Sequence, residues 1–283
     1  MSHEIFDNPC RARKIARARS LSDPAMFLHE RVATQISERL DEVNRRFTKT
    51  AIITPFPDFW GKRFKNAELV DERDVLDLVP NSLDLAVHAL SLHAANDLVG
   101  QIIQCRNALK PDGLFIAVLY GQQTLFELRS ALGTAESRLL NGISPRVAPM
   151  ADLRDLGALL QRGGLALPVA DIDTCRVTYA NLNALMLDLR AMGETNAIAA
   201  RSRKFTPRGL FDLAQDIYRQ NFSDPQHRLI ATFDMVYLTG WKPHQSQQQP
   251  LQPGAAQSRL ADALQSTEIG AEEPARNKKG KPE

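Results

Sequence analysis

The chain has 283 residues, 43% hydrophobic and 24% charged, which allows one large domain or two small ones around a sizeable core, since domains run to roughly 100–200 residues. Thirty-five basic against 33 acidic side chains leave a formal charge of +2, too little to set up a global field for nucleic acid, and no apolar run approaches the ~20 residues of a membrane-spanning helix. Three dispersed cysteines, Cys10, Cys105 and Cys175, suit neither a disulfide framework nor a C-x-x-C metal site and point to a reducing, cytoplasmic setting without a metal.

The N-terminus carries RARKIARAR, with no acid between Asn8 and Ser22. Read by itself it is a solvated basic helix, with contact to an acidic partner, RNA or lipid as the less favoured alternative. Asp23 then offers a cap and Pro24 a first helical residue, and Leu28, Val32, Ile36, Leu40, Val43 and Phe47 recur at spacings of three and four. That pattern predicts an amphipathic helix. Short strands are expected at 51–54, 67–71, 83–90 and 114–120. A helix at 97–109 separates the last two and ends at the Pro111-Asp112-Gly113 turn. Strand, helix and strand within some 40 residues form a βαβ unit, hence a parallel sheet and an α/β fold. Further helices are expected near 123–140, 151–162, 181–191 and 207–220, and a final strand at 231–238. Residues 243–283, with HQSQQQPLQPGAAQS and EEPARNKKGKPE, bury too little to order themselves and read as a disordered tail. The organisation expected is a helical extension at 1–48, an α/β domain at 49–242 with a helical insertion near 123–220, and the tail.

Open α/β sheets bind ligands outside the carboxyl ends of their strands. The segments to inspect are therefore Pro55–Gly61, Ser91–Asp97 and Gly121–Thr124. The run LDLAVHALSLHAANDLVGQIIQCRNALKPDGLFIAVLYGQQTLFELR resembles the second half of a class I S-adenosylmethionine-dependent methyltransferase domain. Together with Ile5-Phe6-Asp7, Ser144-Pro145-Arg146-Val147-Ala148-Pro149, Met192-Gly193-Glu194-Thr195-Asn196 and Gly240-Trp241-Lys242-Pro243, it is similar to the family of the mitochondrial complex I assembly factor with a methyltransferase fold, the arginine-hydroxylase type, and its bacterial relatives. The resemblance covers most of residues 5–247. It implies a Rossmann-like methyltransferase fold, S-adenosylmethionine as the cofactor if one binds, and a client protein from a respiratory-chain complex, met in the cytoplasm or peripherally at the inner membrane.

The chain departs from that family where the first strand should run into a glycine loop. Glycine there lets backbone N–H groups approach the cofactor, but this sequence has Thr54-Pro55-Phe56-Pro57-Asp58-Phe59-Trp60, and Gly61 is the only glycine in the first 99 residues. Pro55 and Pro57 remove two donors. The 28 positions from 55 to 82 leave room for one further strand, so the first half is shortened. A cofactor would have to be held by side chains, with Asp58, Glu72, Asp74, Ser91 and His93 as candidates. The resemblance sets Ala94 where an aromatic residue is usual and Gln123 where an aspartate is. The substrate side would be built from Tyr120, Gly121 and Thr124 with segments 142–149 and 192–196.

Other singled-out residues have plainer readings. His93 orients a substrate carboxylate or guanidinium, or caps the helix at 97–109. His88 reads as a satisfied core histidine and His227 as a loop residue, while His244 belongs to a surface-bound extension. Glu127 and Arg129, two apart on one helix, do not face each other and are expected in ion pairs elsewhere. Phe56, Phe59 and Trp60 are expected to plug the vacated cofactor pocket, with a partner contact as the less favoured alternative. No general base stands out. The expected function is therefore a methyltransferase-fold protein with lost or altered cofactor binding, acting in respiratory-complex assembly. An active S-adenosylmethionine-dependent methyltransferase or protein-arginine hydroxylase is the alternative, and a basic-helix adaptor the third reading.

Overall fold

The computed structural model describes residues 4–247; the expected disordered tail lies outside the described residues from 248 onward. The helices and strands belong to one compact unit, Met1–Gln245. Helix α1 (Asn8–Arg19) starts under an Asp7 cap, whose carboxylate accepts the Cys10 amide at 2.8 Å, an Asx-type N-cap that satisfies a free helix-end donor. Helix α2 (Phe27–Glu42) begins later than Asp23-Pro24 predicts and carries no side-chain cap. A proline disfavours helical geometry in the residue before it, and the actual start is at Phe27, whose ring packs edge-on against Phe233 at 6.5 Å. Val43 and Phe47 pack on the core from outside the helix.

The remaining elements follow in order: β1 (Thr50–Ile53), α3 (Pro57–Arg63), β2 (Ala67–Val70), β3 (Leu83–Ala89), a short 3-10 turn (Leu92–Ala94), α4 (Leu98–Ala108), β4 (Leu109–Gly121), α5 (Phe126–Leu140), α6 (Leu153–Arg162), β5 (Ala166–Tyr179), α7 (Leu182–Ala191), α8 (Arg208–Asn221) and β6 (Leu229–Trp241). The sheet runs β2-β1-β3-β4-β6-β5. Pairings within β2-β1-β3-β4 are parallel, and β6 is antiparallel to both β4 and β5. The expected βαβ unit is β3-α4-β4. Its turn is incorporated into the strand, because Asp112 adopts φ +62° and the register slips between Leu83 and Leu85, a bulge in place of a stop.

Strand β5 has no counterpart in the sequence reading. It is an edge strand with a single partner, its burial alternates weakly, and Pro168 falls where its register shifts. Proline and polar residues at alternate positions conceal such strands.

Alternation places the core on both faces of the sheet. Leu114, Ile116 and Val118 of β4 face Leu28, Leu132 and Leu210, while Phe115, Ala117 and Leu119 face the cluster built by Ile102, Leu156 and Leu160. The result is three layers, with α4 and α6 on one side and α2, α5, α7 and α8 on the other.

Candidate functional site

Chain order reverses between β1 and β3, so the crevice beyond Ile53 and Ala89 is where this architecture places a ligand. Residues 54–57, which follow the first strand, leave no free amide. Thr54 N–H donates to the Val70 carbonyl at 3.0 Å and Phe56 N–H to Thr54 Oγ1 at 3.1 Å; residues 55 and 57 are prolines. Pro57 opens α3 directly, in the first-turn position where its missing N–H does no harm. Gly61 serves packing: a Cβ there would sit 2.9 Å from Leu69 Cδ1.

The aromatic residues of this segment turn away from the crevice. Trp60 is fully buried, stacks on Phe64 at 5.7 Å and donates from Nε1 to His29 Nδ1 at 3.1 Å. His29 meets Phe56 edge-on at 5.0 Å. Burial holds the His29 imidazole at about 4, so it is a neutral acceptor. These rings lock α3 to α2 and line neither cavity described below, which corrects the expectation that they plug a vacated pocket. Asp58 is exposed in the first turn of α3 and also lines neither cavity.

Helix α1 lies over the crevice. Between it and the loops after β2 and β3 is a cavity of about 650 Å³ lined by Glu72, Asp74, Ser91, His88, Ala12 and Ile15, among others. Each polar wall group is already engaged. Asp74 accepts from Asn8 Nδ2 at 2.9 Å, and Ser91 Oγ lies 3.0 Å from His88 Nδ1, whose Nε2 lies 3.1 Å from Gln101 Oε1. His88 is the satisfied core histidine expected, held neutral by burial at about 4.

Arg11, expected in solvent, is buried. Its guanidinium forks onto Glu72 at 2.8 and 3.0 Å and reaches Glu194 at 3.4 Å. Glu194 in turn contacts His93 Nε2 at 3.2 Å. Burial pushes the Glu194 carboxyl upward, but Arg11 and His93 outweigh it and hold the group at about 2. The signal available in the sequence was the stripe Arg11, Ile15, Ala18 on one side of the basic helix; a cation inside an apolar stripe needs buried partners.

A second cavity, about 420 Å³, lies beyond this ion cluster and is lined by His93, Tyr120, Thr124, Arg146, Phe211 and Phe233, among others; Arg11 and Ala94 border both cavities. His93 and Tyr120 meet at 4.7 Å between ring centroids. The His93 side chain is 8% exposed, and its Nδ1 is buried without a hydrogen-bond partner. It does not cap α4; Asp97 does, accepting Gly100 N–H at 2.8 Å. The Thr124 hydroxyl is engaged in the fold, donating to the Gly121 carbonyl at 2.8 Å and accepting Asp234 N–H at 2.9 Å. Gly121 lines neither cavity; a Cβ there would come within 2.8 Å of Val236 Cγ2. Glu127, expected in an ion pair, instead accepts the Thr232 hydroxyl at 2.5 Å. Arg129 reaches the Thr124 and Ala148 carbonyls at 3.5 and 3.4 Å.

Of the eight candidates, Glu72, Asp74 and Ser91 share the first cavity, and His93, Tyr120 and Thr124 the second. Residues 54–57 and Glu72 do not fit a nucleoside-sulfonium cofactor held in the glycine-loop manner, because the amides are absent or engaged and the carboxylate is taken by Arg11. Among the described residues no cluster of three or more His, Cys, Asp or Glu could hold a metal.

Sheet order and the antiparallel β6 define a Rossmann-like methyltransferase fold with a short first half. No family model matches the chain. The chain is 31% identical over 286 residues to "Arginine-hydroxylase NDUFAF5, mitochondrial" of Danio rerio, spanning 91% of this chain and 89% of that protein. It is 40% identical over 190 residues to the protein of the same name from Dictyostelium discoideum, a match covering 67% of this chain and 43% of that protein. It is also similar to a malonyl-[acyl-carrier protein] O-methyltransferase of Gallionella capsiferriformans, 30% identical over 189 residues, 65% of this chain and 62% of that one. The chain belongs to the NDUFAF5 arginine-hydroxylase family.

Proposed function

We propose that this protein acts in the assembly or maturation of a respiratory-chain complex, receiving a client subunit at the second cavity. Its cofactor crevice is overlain by its own α1, which walls one side of the first cavity. The observation that carries this reading is the Arg11–Glu72 fork: a carboxylate that lines the crevice is paired from within the chain, and residues 54–57 leave no free amide. A fold can be retained while its site changes role. No described helix is long and apolar enough to cross a membrane, and dispersed free cysteines support a reducing compartment, so we place the action in the cytoplasm or at the inner-membrane surface. Deletion of the gene tests this. The amount of assembled respiratory NADH dehydrogenase on native gels should fall and return on complementation; an unchanged amount contradicts it.

One observation favours a second reading, in which the client residue is an arginine that becomes hydroxylated, as the relatives' name says of them. The partnerless His93 Nδ1 beside Tyr120 suits a side chain rich in N–H donors. Mass spectrometry of the complex subunits from wild-type and deletion strains, searching for arginine with one added oxygen, decides it. The adaptor reading is weaker, since α1 commits Arg11 to two carboxylates and Arg19 to the Pro55 carbonyl and Asp71.

A further inference from the structure

No acidic residue occurs between Asn8 and Ser22 or between Asn196 and Phe211. A bridge from Phe6 to Ile198 brings these two stretches together, and the Asp7 carboxylate joins them, accepting from Arg201 at 2.8 Å with Arg203 at 3.8 Å. The Arg201 bond, the Cys10 amide and the charge of Arg13 hold that carboxyl below its ordinary range. Burial lowers the Lys14 ammonium, and the charges of Arg201 and Arg17 add to the effect. Arg11 and Arg19 are spent inside the fold, but Arg13, Arg17, Arg203 and Lys204 are exposed. Among the described residues, Asp7 is the only carboxylate paired with any of the four. Phe205 comes next in the chain, fully exposed. A whole aromatic ring left in water beside unpaired cations marks an interaction surface.

We infer that this surface docks an acidic protein face: Phe205 fills an apolar hollow of the partner, and Arg13, Arg203 and Lys204 pair with carboxylates around that hollow. Complementary charge selects the sign of the partner and speeds the encounter. Arginine suits the role, because its planar fork matches a carboxylate with two N–H bonds. Aromatic and arginine side chains are also the ones that carry most of the binding energy at protein interfaces. A bilayer fits less well. One ring buries far less than an acyl chain, and Asp7 sets a carboxylate among the cations, where anionic headgroups would repel it. The position gives the contact a use: Ile198 and Arg146 both line the second cavity, and Arg146 donates to Thr206 Oγ1 at 3.2 Å, so the segment from 198 to 206 connects two of its walls. A partner held there stands beside that cavity. This use rests on the second cavity being the client site; the docking itself does not.

Photo-crosslinking of the full chain in its native host, followed by calorimetry with the purified partner, tests this. The photoreactive amino acid p-benzoylphenylalanine replaces Phe205 and, in a control, Val75, an exposed apolar residue of the loop after β2. The probe at Phe205 should capture one dominant protein that the control does not, through a peptide with Asp or Glu beside large apolar residues. Phe205→Ser, and separately Arg203→Glu with Lys204→Glu, should each weaken binding of that protein about ten-fold or more, with thermal unfolding unchanged. Lysines in place of the captured acids should restore binding to the Arg203→Glu, Lys204→Glu chain. Capture no different from the Val75 control, binding indifferent to the charge reversal, or failure of the lysines to restore it overturns the proposal. So does flotation of the chain with phosphatidylglycerol–phosphatidylcholine vesicles that is lost in Phe205→Ser, which gives the surface to a membrane, or retention of total RNA that is lost on charge reversal. Should the charge reversal unfold the chain, Phe205→Ser decides. A captured partner with unchanged NADH dehydrogenase in the deletion strain keeps the docking and removes the client reading; reduced NADH dehydrogenase without capture does the opposite.

Discussion

Arg11 and Glu72, 61 residues apart in the chain, are joined by two N–H···O bonds of 2.8 and 3.0 Å, and this fork fixes α1 across the carboxyl end of the sheet. Removing one partner of a buried pair leaves the other charge uncompensated, at about 3–5 kcal/mol. Arg11→Ala should therefore lower the unfolding free energy by about 3 kcal/mol in urea titration. The double substitution Arg11→Met with Glu72→Gln should recover much of that loss, leaving only Glu194 to be resolvated. A loss within about 0.5 kcal/mol for Arg11→Ala would mean the fork is solvated like a surface pair.

Gly193 has φ +78°, and a Cβ there would lie 2.5 Å from Ile15 Cδ1. The left-handed backbone alone disfavours a side chain by roughly 1 kcal/mol, and the collision adds to it. Gly193→Ala should destabilise by about 2–3 kcal/mol, and a double-mutant cycle with Ile15→Ala should return the steric part, about 1 kcal/mol or more. Strict additivity would show that Ile15 moves aside freely.

His29 and His88 are both held at about 4 by burial, below their ordinary value of 6.5. The unfolded chain therefore binds more protons than the folded one between those values. Stability should be level above pH 7 and fall as pH drops from 6.5 toward 4, with a slope of up to two protons, about 2.7 kcal/mol per pH unit. Glu194, also depressed, loses its contribution lower still, toward pH 2. Replacing His88 by Asn should reduce the slope between pH 6 and 5 by about one proton in urea titrations at stepped pH. An unchanged slope would place the proton uptake elsewhere.

Much of this organisation is legible in the residues. The βαβ unit appears because Val87, Ala89 and Leu119 belong to continuous apolar runs buried on both faces, and Asp97 caps the helix between them. The shortened first half is legible from the 28 positions available and the two prolines. Three things are hidden. Strand β5 lies at an edge with one partner, so no apolar run marks it. Helix α1 looks solvated because its arginines are counted together, while only Arg11 points inward with Ile15 and Ala18. Trp60 looks available to a ligand pocket, but its Nε1 finds His29 on α2, a partner that local sequence does not specify. Each miss involves a contact between distant segments, which composition and periodicity do not record.

Trp60 offers a direct test of that last point. Trp60→Phe removes the donor to the buried His29 Nδ1 and part of the buried ring, which should cost about 2–3 kcal/mol. Because the ring faces α2 and not the crevice, small-molecule binding at either cavity should change by less than about two-fold. A larger change in binding, measured by calorimetry at a temperature where the variant is folded, would return the aromatic segment to the ligand site.

The most direct test of the central claim is isothermal titration of the full chain with S-adenosylmethionine and with S-adenosylhomocysteine. With Thr54 and Phe56 amides engaged, residues 55 and 57 without amides and Glu72 held by Arg11, neither should give saturable heat at millimolar ligand. A micromolar, stoichiometric isotherm with either compound would contradict the account and make the crevice under α1 a working cofactor site.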